Sequence, residues 1–377
     1  MRYYIIAGEA SGDLHGSNLI KELRKLDQQA IIRCWGGDMM QSAGAELVKH
    51  YRDLAFMGFI EVVGNLPTIL QNIKFCKEDI KQFQPNAVIF IDYPGFNLRV
   101  AKWAKQENFK TIYYISPQVW AWKENRVKLI KKCIDKMLVI LPFEKEFYKK
   151  WDYEVEYVGH PLVQVIEEFK VQSRESGVDA SNSELPTLNS QLIALLPGSR
   201  KQEILKKLPV MLEASKSFPD YLFVVAQAPG QEDLFYKDLL KNYPNVSSVS
   251  NQTYSLLSKA KAACVTSGTA TLETALFGVP EVVCYKGSTV SYQIAKRLIK
   301  VKFISLVNLI MNKLVVKELI QDDFNVENLK KQLTAILTNK ATEEQLQKDY
   351  ADLKKLLSAG GNASANAAKS IFDFLNN

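Results

Sequence analysis

Five cysteines in 377 residues, at positions 34, 76, 133, 264 and 284, are too few and too oddly numbered for a disulfide framework, and no two form a C-x-x-C pair. They predict reduced, structural thiols in a cytoplasmic protein. Histidine is scarcer: His15, His50 and His160 share no metal-ligand spacing, so no metal centre is expected. No charge-free apolar run reaches the roughly 18 residues a bilayer-spanning helix needs. The opening "MRYYIIAGEASGD" runs from a short apolar stretch into a glycine turn, not a cleavage region, and reads as a first strand. Two phosphate-binding signatures are also missing. There is no G-x-x-x-x-G-K-[ST], which argues against a P-loop NTPase, and the glycines at 8, 12 and 16 lack the G-x-G-x-x-G spacing of a dinucleotide fold.

What is present is ordinary for a soluble globular chain: 47% hydrophobic and 24% charged residues, in a length that favours two domains. A net charge of +7 suits phosphorylated ligands or an anionic membrane surface, and equally a plain solvated basic surface. Near-continuous apolar runs of strand length recur at 3–8, 87–92, 111–115 and 136–141, separated by helix-like stretches such as 13–26. After a polar pause the alternation restarts at 192–196, 221–227, 262–266 and 280–285. Such runs suit parallel strands covered on both faces, hence α/β architecture with two doubly wound, Rossmann-like domains facing across a cleft. The expected division is 1–170, a linker or insertion at 171–190, a second domain at 191–345 and terminal helices at 346–377, with the helix at 361–377 a candidate to complete the first domain. Ligands in such sheets bind beyond the carboxyl ends of the strands, where the distinctive motifs fall.

In "LLPGSRKQEI" an apolar strand ends in Pro-Gly before a helix. Ser199 and Gln202 fit a capping box, the plain structural account, while Arg200 at a helix start suits a phosphate. "VTSGTATLETALFGVP" adds a second such start: Ser267, Gly268 and Thr269 let a diphosphate approach the backbone, and Glu273 lies one turn on, at ribose distance. Together they favour a nucleotide diphosphate. In the first half, "AGEASGDLHG" supplies Gly8, Glu9, Ser11, Gly12 and Asp13 after the first strand, with Asp13 also readable as a helix cap. "FIDYPGFN" ends a strand at Asp92, either an Asx turn or a general base. In "SPQVWAW", Trp120 and Trp122 face one way if extended, as sugar or acyl contacts or as core. The stretch 54–75 is rich in large apolar residues: Phe56, Met57, Phe59, Ile60, Leu66, Ile69 and Leu70 form either a core helix or a membrane-docking patch bordered by lysines.

These pieces, with "MGFIEV", "LPFEKEFY", "GHPL", "AKRLIK", "SLVNLI" and "VKELIQ" in order nearly end to end, resemble the lipid-A-disaccharide synthases, inverting glycosyltransferases of lipopolysaccharide synthesis in Gram-negative bacteria. The resemblance implies a GT-B architecture and transfer of 2,3-diacylglucosamine from its UDP derivative to 2,3-diacylglucosamine 1-phosphate (lipid X), with release of UDP and no metal or cofactor. By position it makes Asp92 the essential aspartate. It assigns Arg200, Ser267, Gly268, Thr269 and Glu273 to the donor, with Asn308 and Glu318 as further donor-side positions. Gly8, Glu9, Ser11, Gly12, Asp13, Trp120 and Trp122 fall to the acceptor. Some members carry a second acid where this chain has Gly95, so that acid is not required here. The implied location is cytoplasmic and peripheral on the inner membrane, against an anionic surface, with no nucleic acid partner. Competing readings are a nucleotide-sugar 2-epimerase of the same fold and a non-catalytic nucleotide-sugar or lipid-binding protein.

Overall fold

The computed structural model describes residues 1–54, 66–175, 191–228, 231–288, 292 and 301–377, without the side chains of Leu54 and Leu66. The chain divides into two compact units, Met1–Pro161 with Leu357–Asn377, and Leu162–Leu356.

The first unit is built on a seven-stranded sheet of β1 (Arg2–Ala7), β2 (Ile31–Gly36), β3 (Glu46–His50), β4 (Ala87–Ile91), β5 (Lys110–Tyr114), β6 (Lys136–Val139) and β7 (Glu156–Tyr157). Its order is β3-β2-β1-β4-β5-β6-β7 and every pairing is parallel. The second carries β8 (Leu192–Leu196), β9 (Leu222–Ala226), β10 (Val246–Val249), β11 (Ala262–Thr266), β12 (Glu281–Tyr285) and β13 (Lys317–Ile320). Its order, β10-β9-β8-β11-β12-β13, repeats the pattern, again all parallel. The strand order reverses between β1 and β4 in one sheet and between β8 and β11 in the other, the switch points where doubly wound sheets open a crevice.

The central strands read AVIFI, LIALL and AACVT, and every residue of each is buried. Helices cover both faces, so neither side of these strands needs polar residues. One core gathers Tyr4, Ile6, Trp35, Phe90 and Tyr113; the other gathers Ile193, Leu195, Phe223, Met211 and Leu329. All five cysteines are buried and free. Among the described residues no helix is long and apolar enough to cross a membrane.

The chain leaves the first unit at Pro161, ahead of the boundary near 170 that the sequence suggests. Residues 171–175, expected as linker, are the last turn of helix Pro161–Glu175; the rest of that segment, 176–190, lies outside the described residues. The tail is helical and broken at Gly360 and Gly361. Helix Lys340–Ser358 lies almost wholly in the second unit. Helix Ala363–Asn376 packs against helix Ala10–Leu26 of the first. There Asn366 donates to the Val158 carbonyl at 3.1 Å and Ser370 to the Glu156 carboxylate at 2.6 Å.

Candidate active site

At the first switch point, β1 and β4 run side by side with Ala7 opposite Ile91. Glu9 follows β1 as the extended N-cap of helix Ala10–Leu26, and Asp92 follows β4. Asp92 and Tyr93 both adopt positive φ, 43° and 48°, a conformation that costs a non-glycine residue about 1–3 kcal/mol. Three bonds hold the turn. The Asp92 carbonyl accepts from Asn97 Nδ2 at 2.8 Å and from the Tyr113 hydroxyl at 2.5 Å, and the Asp92 N–H donates to the Ile115 carbonyl at 3.3 Å. Pro94 then opens helix Pro94–Gln106, its fixed φ suited to a first helical position. The Asp92 carboxyl is thus aimed by its backbone and left partly buried. Burial first, and the charge of Glu9 second, push it up to about 7, against a smaller opposing effect of the Tyr93 N–H. A carboxylate that titrates near neutrality is suited to take a proton.

The second switch point joins two loops. Pro197–Arg200 follows β8 and leads into helix Lys201–Ser215; Ser267 and Gly268 follow β11 and lead into helix Thr269–Phe277. The N-cap residues are Arg200, whose side chain makes no capping bond, and Gly268, which has no side chain to make one. The first N–H groups of each point out of the strand ends, a ready anion site. The capping box expected from Ser199 does not form: Arg200 occupies the N-cap position, with its guanidinium half-exposed and 3.5 Å from Glu203. Gly268, at φ 152°, and Thr269 are exposed, and a Cβ on Gly268 would meet nothing within 4 Å. Ser267 faces inward instead and donates to the Ile304 carbonyl at 2.8 Å. Glu273 is partly buried and accepts from Tyr254 at 3.1 Å; burial holds its carboxyl above the usual range and that bond opposes the shift.

Several expected contact residues are tied up within the protein. Asp13 does not cap its own helix; both its oxygens accept backbone N–H groups at the start of helix Asp38–Ser42, from Gly37 at 2.8 Å, Met39 at 3.1 Å and Met40 at 3.0 Å. Gly8 and Gly12 are buried, whereas Ser11 is exposed beside Glu9. Trp120 and Trp122 do not share a face, because Val119–Trp122 is a helical turn and not a strand. Trp120 is buried, packs edge-on to Phe143 and donates to Glu144 at 3.3 Å; Trp122 is about half-exposed with Lys123 Nζ 3.8 Å above its ring. Asn308 and Glu318 serve each other: Asn308 Nδ2 donates to Glu318 at 2.9 Å and to the Val316 carbonyl at 2.8 Å, and its Oδ1 accepts from Val315 and Val316. Glu318 also accepts from the Ile304 and Ser305 N–H groups. The pair therefore builds the loop that Ser267 leans on. Among the described residues no group of three His, Cys, Asp or Glu side chains could hold a metal ion.

Of the apolar stretch, Phe56, Met57, Phe59 and Ile60 lie outside the described residues, as does the Leu66 side chain. On helix Leu66–Phe83, Ile69 packs against the core and Leu70 is 53% exposed. Asn97, Tyr113 and Tyr254 escape the sequence reading because their role is to position others. Lys207 also escapes it, although it stands seven residues after Arg200 and so on the same helix face.

A family model described as lipid-A-disaccharide synthetase matches residues 3–372. The chain belongs to the lipid-A-disaccharide synthase family. Its relatives include the lipid-A-disaccharide synthase of Syntrophus aciditrophicus, 37% identical over an alignment of 373 positions that covers 97% of this chain and 96% of that one. Lipid-A-disaccharide synthase 1 of Legionella pneumophila (strain Lens) is 37% identical over an alignment of 380 positions that covers 99% of this chain and 96% of that one. Among solved structures, the UDP-GlcNAc 2-epimerase of Neisseria meningitidis bound to UDP-GlcNAc superposes with TM-score 0.70 at 15% identity, covering 100% of both chains. CalG4, the calicheamicin glycosyltransferase, gives 0.61 at 16%, covering 100% of this chain and 98% of that one. At such identities the likeness is one of fold. It is the GT-B fold of two doubly wound sheets that the sequence implies for a lipid-A-disaccharide synthase.

Proposed function

We propose that the protein transfers 2,3-diacylglucosamine from UDP-2,3-diacylglucosamine to the 6-hydroxyl of 2,3-diacylglucosamine 1-phosphate, forming a β-1,6-linked disaccharide 1-phosphate and UDP. Asp92 carries the reading: a carboxyl held in strained backbone at a switch point, beside a second acid, and titrating near 7. It takes the proton from the acceptor hydroxyl as the oxygen attacks the anomeric carbon from the face opposite UDP. The C1–O bond to the diphosphate breaks with both electrons going to the leaving oxygen, and the anomeric centre inverts.

The leaving diphosphate gains negative charge in the transition state. Arg200 and the uncapped start of helix Thr269–Phe277 supply positive charge and N–H donors for it, and Glu273 accepts from the ribose. Donors already aimed at that charge lower the barrier; losing one typically slows the reaction by about 3 kcal/mol. Family membership, and not fold alone, favours transfer over 2-epimerisation. Both substrates carry acyl chains, so catalysis takes place at a membrane surface. Exposed Leu70 and Trp122, with the exposed lysines at 128, 131 and 132, are candidates for a peripheral contact on the cytoplasmic face of the inner membrane. The deciding experiment incubates the purified protein with the acylated UDP-sugar and lipid X. Disaccharide and UDP in equal amounts support transfer; a sugar epimer formed without acceptor, or binding without turnover, overturns it.

A further inference from the structure

Lys207 is 3% exposed in the middle of helix Lys201–Ser215, and lysine is almost never so buried unless it is paired. Its ammonium donates to the Thr266 hydroxyl, on the last residue of β11. It lies 3.7 Å from Glu203, whose other oxygen is 3.5 Å from Arg200. It is also 3.6 Å from where a Cβ would stand on Gly198, in the loop after β8. That glycine has φ 125°, and a Cβ there would come within 2.6 Å of Glu203. One nitrogen therefore stands between the end of β11 and the loop after β8. Arg200, Glu203 and Lys207 line one helix face, with two cations sharing one carboxylate.

We infer that Lys207 is a positioning residue for the donor diphosphate, tying Thr266 at the end of β11 to Glu203 beneath the β8 loop so that both anion-ready helix starts are held at one spacing. This rests on the donor-site reading given above. The lysine meets one oxygen of Glu203 while Arg200, half-exposed, stands 3.5 Å from the other. Burial holds the ammonium below its ordinary titration range, and the charge of Glu203 opposes that shift.

Calorimetry with UDP and with uridine separates this role from plain structural support. Lys207→Met should weaken UDP by about tenfold or more while changing uridine by less than about twofold, since only UDP carries the charge that the loops are spaced for. Thr266→Val keeps the shape and removes the hydroxyl tie. It should weaken UDP by about three- to tenfold in the same selective manner, and it answers the question should the lysine variant not fold. An unchanged ratio of UDP to uridine affinity in a folded Lys207→Met protein, or in Thr266→Val, overturns the inference. Arg200→Ala is the control. If it too leaves UDP binding unchanged, the donor-site reading has failed; if it weakens UDP while the other two do not, only the role of Lys207 has failed.

Discussion

The ring of Tyr93 lies where a side chain on Gly8 would be: a Cβ there would come within 2.4 Å of the Tyr93 Cδ1 and Cγ atoms. The turn after β1 and the turn after β4 are thereby fitted to each other, and Tyr93 is the neighbour of Asp92. Gly8→Ala must push the ring aside and the strained turn with it. Overpacking of this kind costs about 1–3 kcal/mol. We expect a lower Tm and at least a tenfold fall in kcat, with UDP affinity unchanged in calorimetry because the proposed donor loops belong to the other unit.

Asp92→Asn keeps the shape and removes the base, so kcat should fall by about 10²–10⁴ with UDP affinity intact. Near-normal turnover in the folded variant would remove Asp92 from the mechanism. The base must be ionised to act, so kcat/KM should rise with pH through about 7. Glu9→Gln removes the second of the two causes that raise Asp92 and should move that limb to lower pH, modestly, since burial remains. Stability carries the opposite sign. A carboxyl raised on folding favours the native state below its unfolded pKa and loses that contribution as pH climbs through the folded one. Asp92→Asn should therefore be more stable than the parent above pH 7, by roughly 2–4 kcal/mol at most, with the gain vanishing near pH 4.

Arg200→Ala should weaken UDP binding and slow turnover together, because in the proposed mechanism the charge meets both the bound diphosphate and the leaving group. Arg200→Lys should recover only part, since the two-pronged contact is lost. Turnover should persist in EDTA; complete loss restored by magnesium would contradict a diphosphate held by protein groups alone.

Asn308→Ala should act on the fold before the chemistry. Its amide is fully buried and serves the Val315, Val316 and Glu318 groups. Stranding those groups costs about 1–3 kcal/mol each. Denaturant unfolding should show a loss of several kcal/mol. An Asn308→Ala protein of normal stability but poor UDP affinity would instead restore Asn308 as a direct ligand contact.

Leu70 and Trp122 are exposed, so changing them should not unfold the protein. Leu70→Ser with Trp122→Ala should reduce flotation with anionic vesicles and leave UDP binding alone. Unchanged flotation would move the membrane contact elsewhere.

The strands legible in the sequence were the central ones. AVIFI, LIALL and AACVT are apolar throughout because helices cover both of their faces. The strands not anticipated read IIRCWG, ELVKH, EY, VSSV and KELI. All but the first are at sheet edges, where one side lacks a neighbour and polar residues interrupt the pattern. In β2 the break is Arg33, whose guanidinium turns away to Asp79 at 2.8 Å. At the candidate site, the position of Asp92 could be read from a strand ending in Pro-Gly. The inward bonds of Asp13, Asn308 and Glu318 could not, because a carboxylate that caps a distant helix looks in sequence like one that meets a ligand. Two tryptophans two residues apart share a face only in extended chain, and a helical turn sends Trp120 and Trp122 apart.

The chain starts the first unit, builds the second, and returns to finish the first with helix Ala363–Asn376. Helix Ala10–Leu26 is thus covered by a segment that follows the entire second unit in sequence, a long-range closure that carries a loop-entropy cost local contacts do not. The second unit is continuous in sequence and closes on its own contacts, whereas the unit bearing Asp92 is complete only when helix Ala363–Asn376 has docked. A chain cut before Ala363 should therefore keep the whole sequence of the second unit, Leu162–Leu356, and lack the helix that closes the unit bearing Asp92.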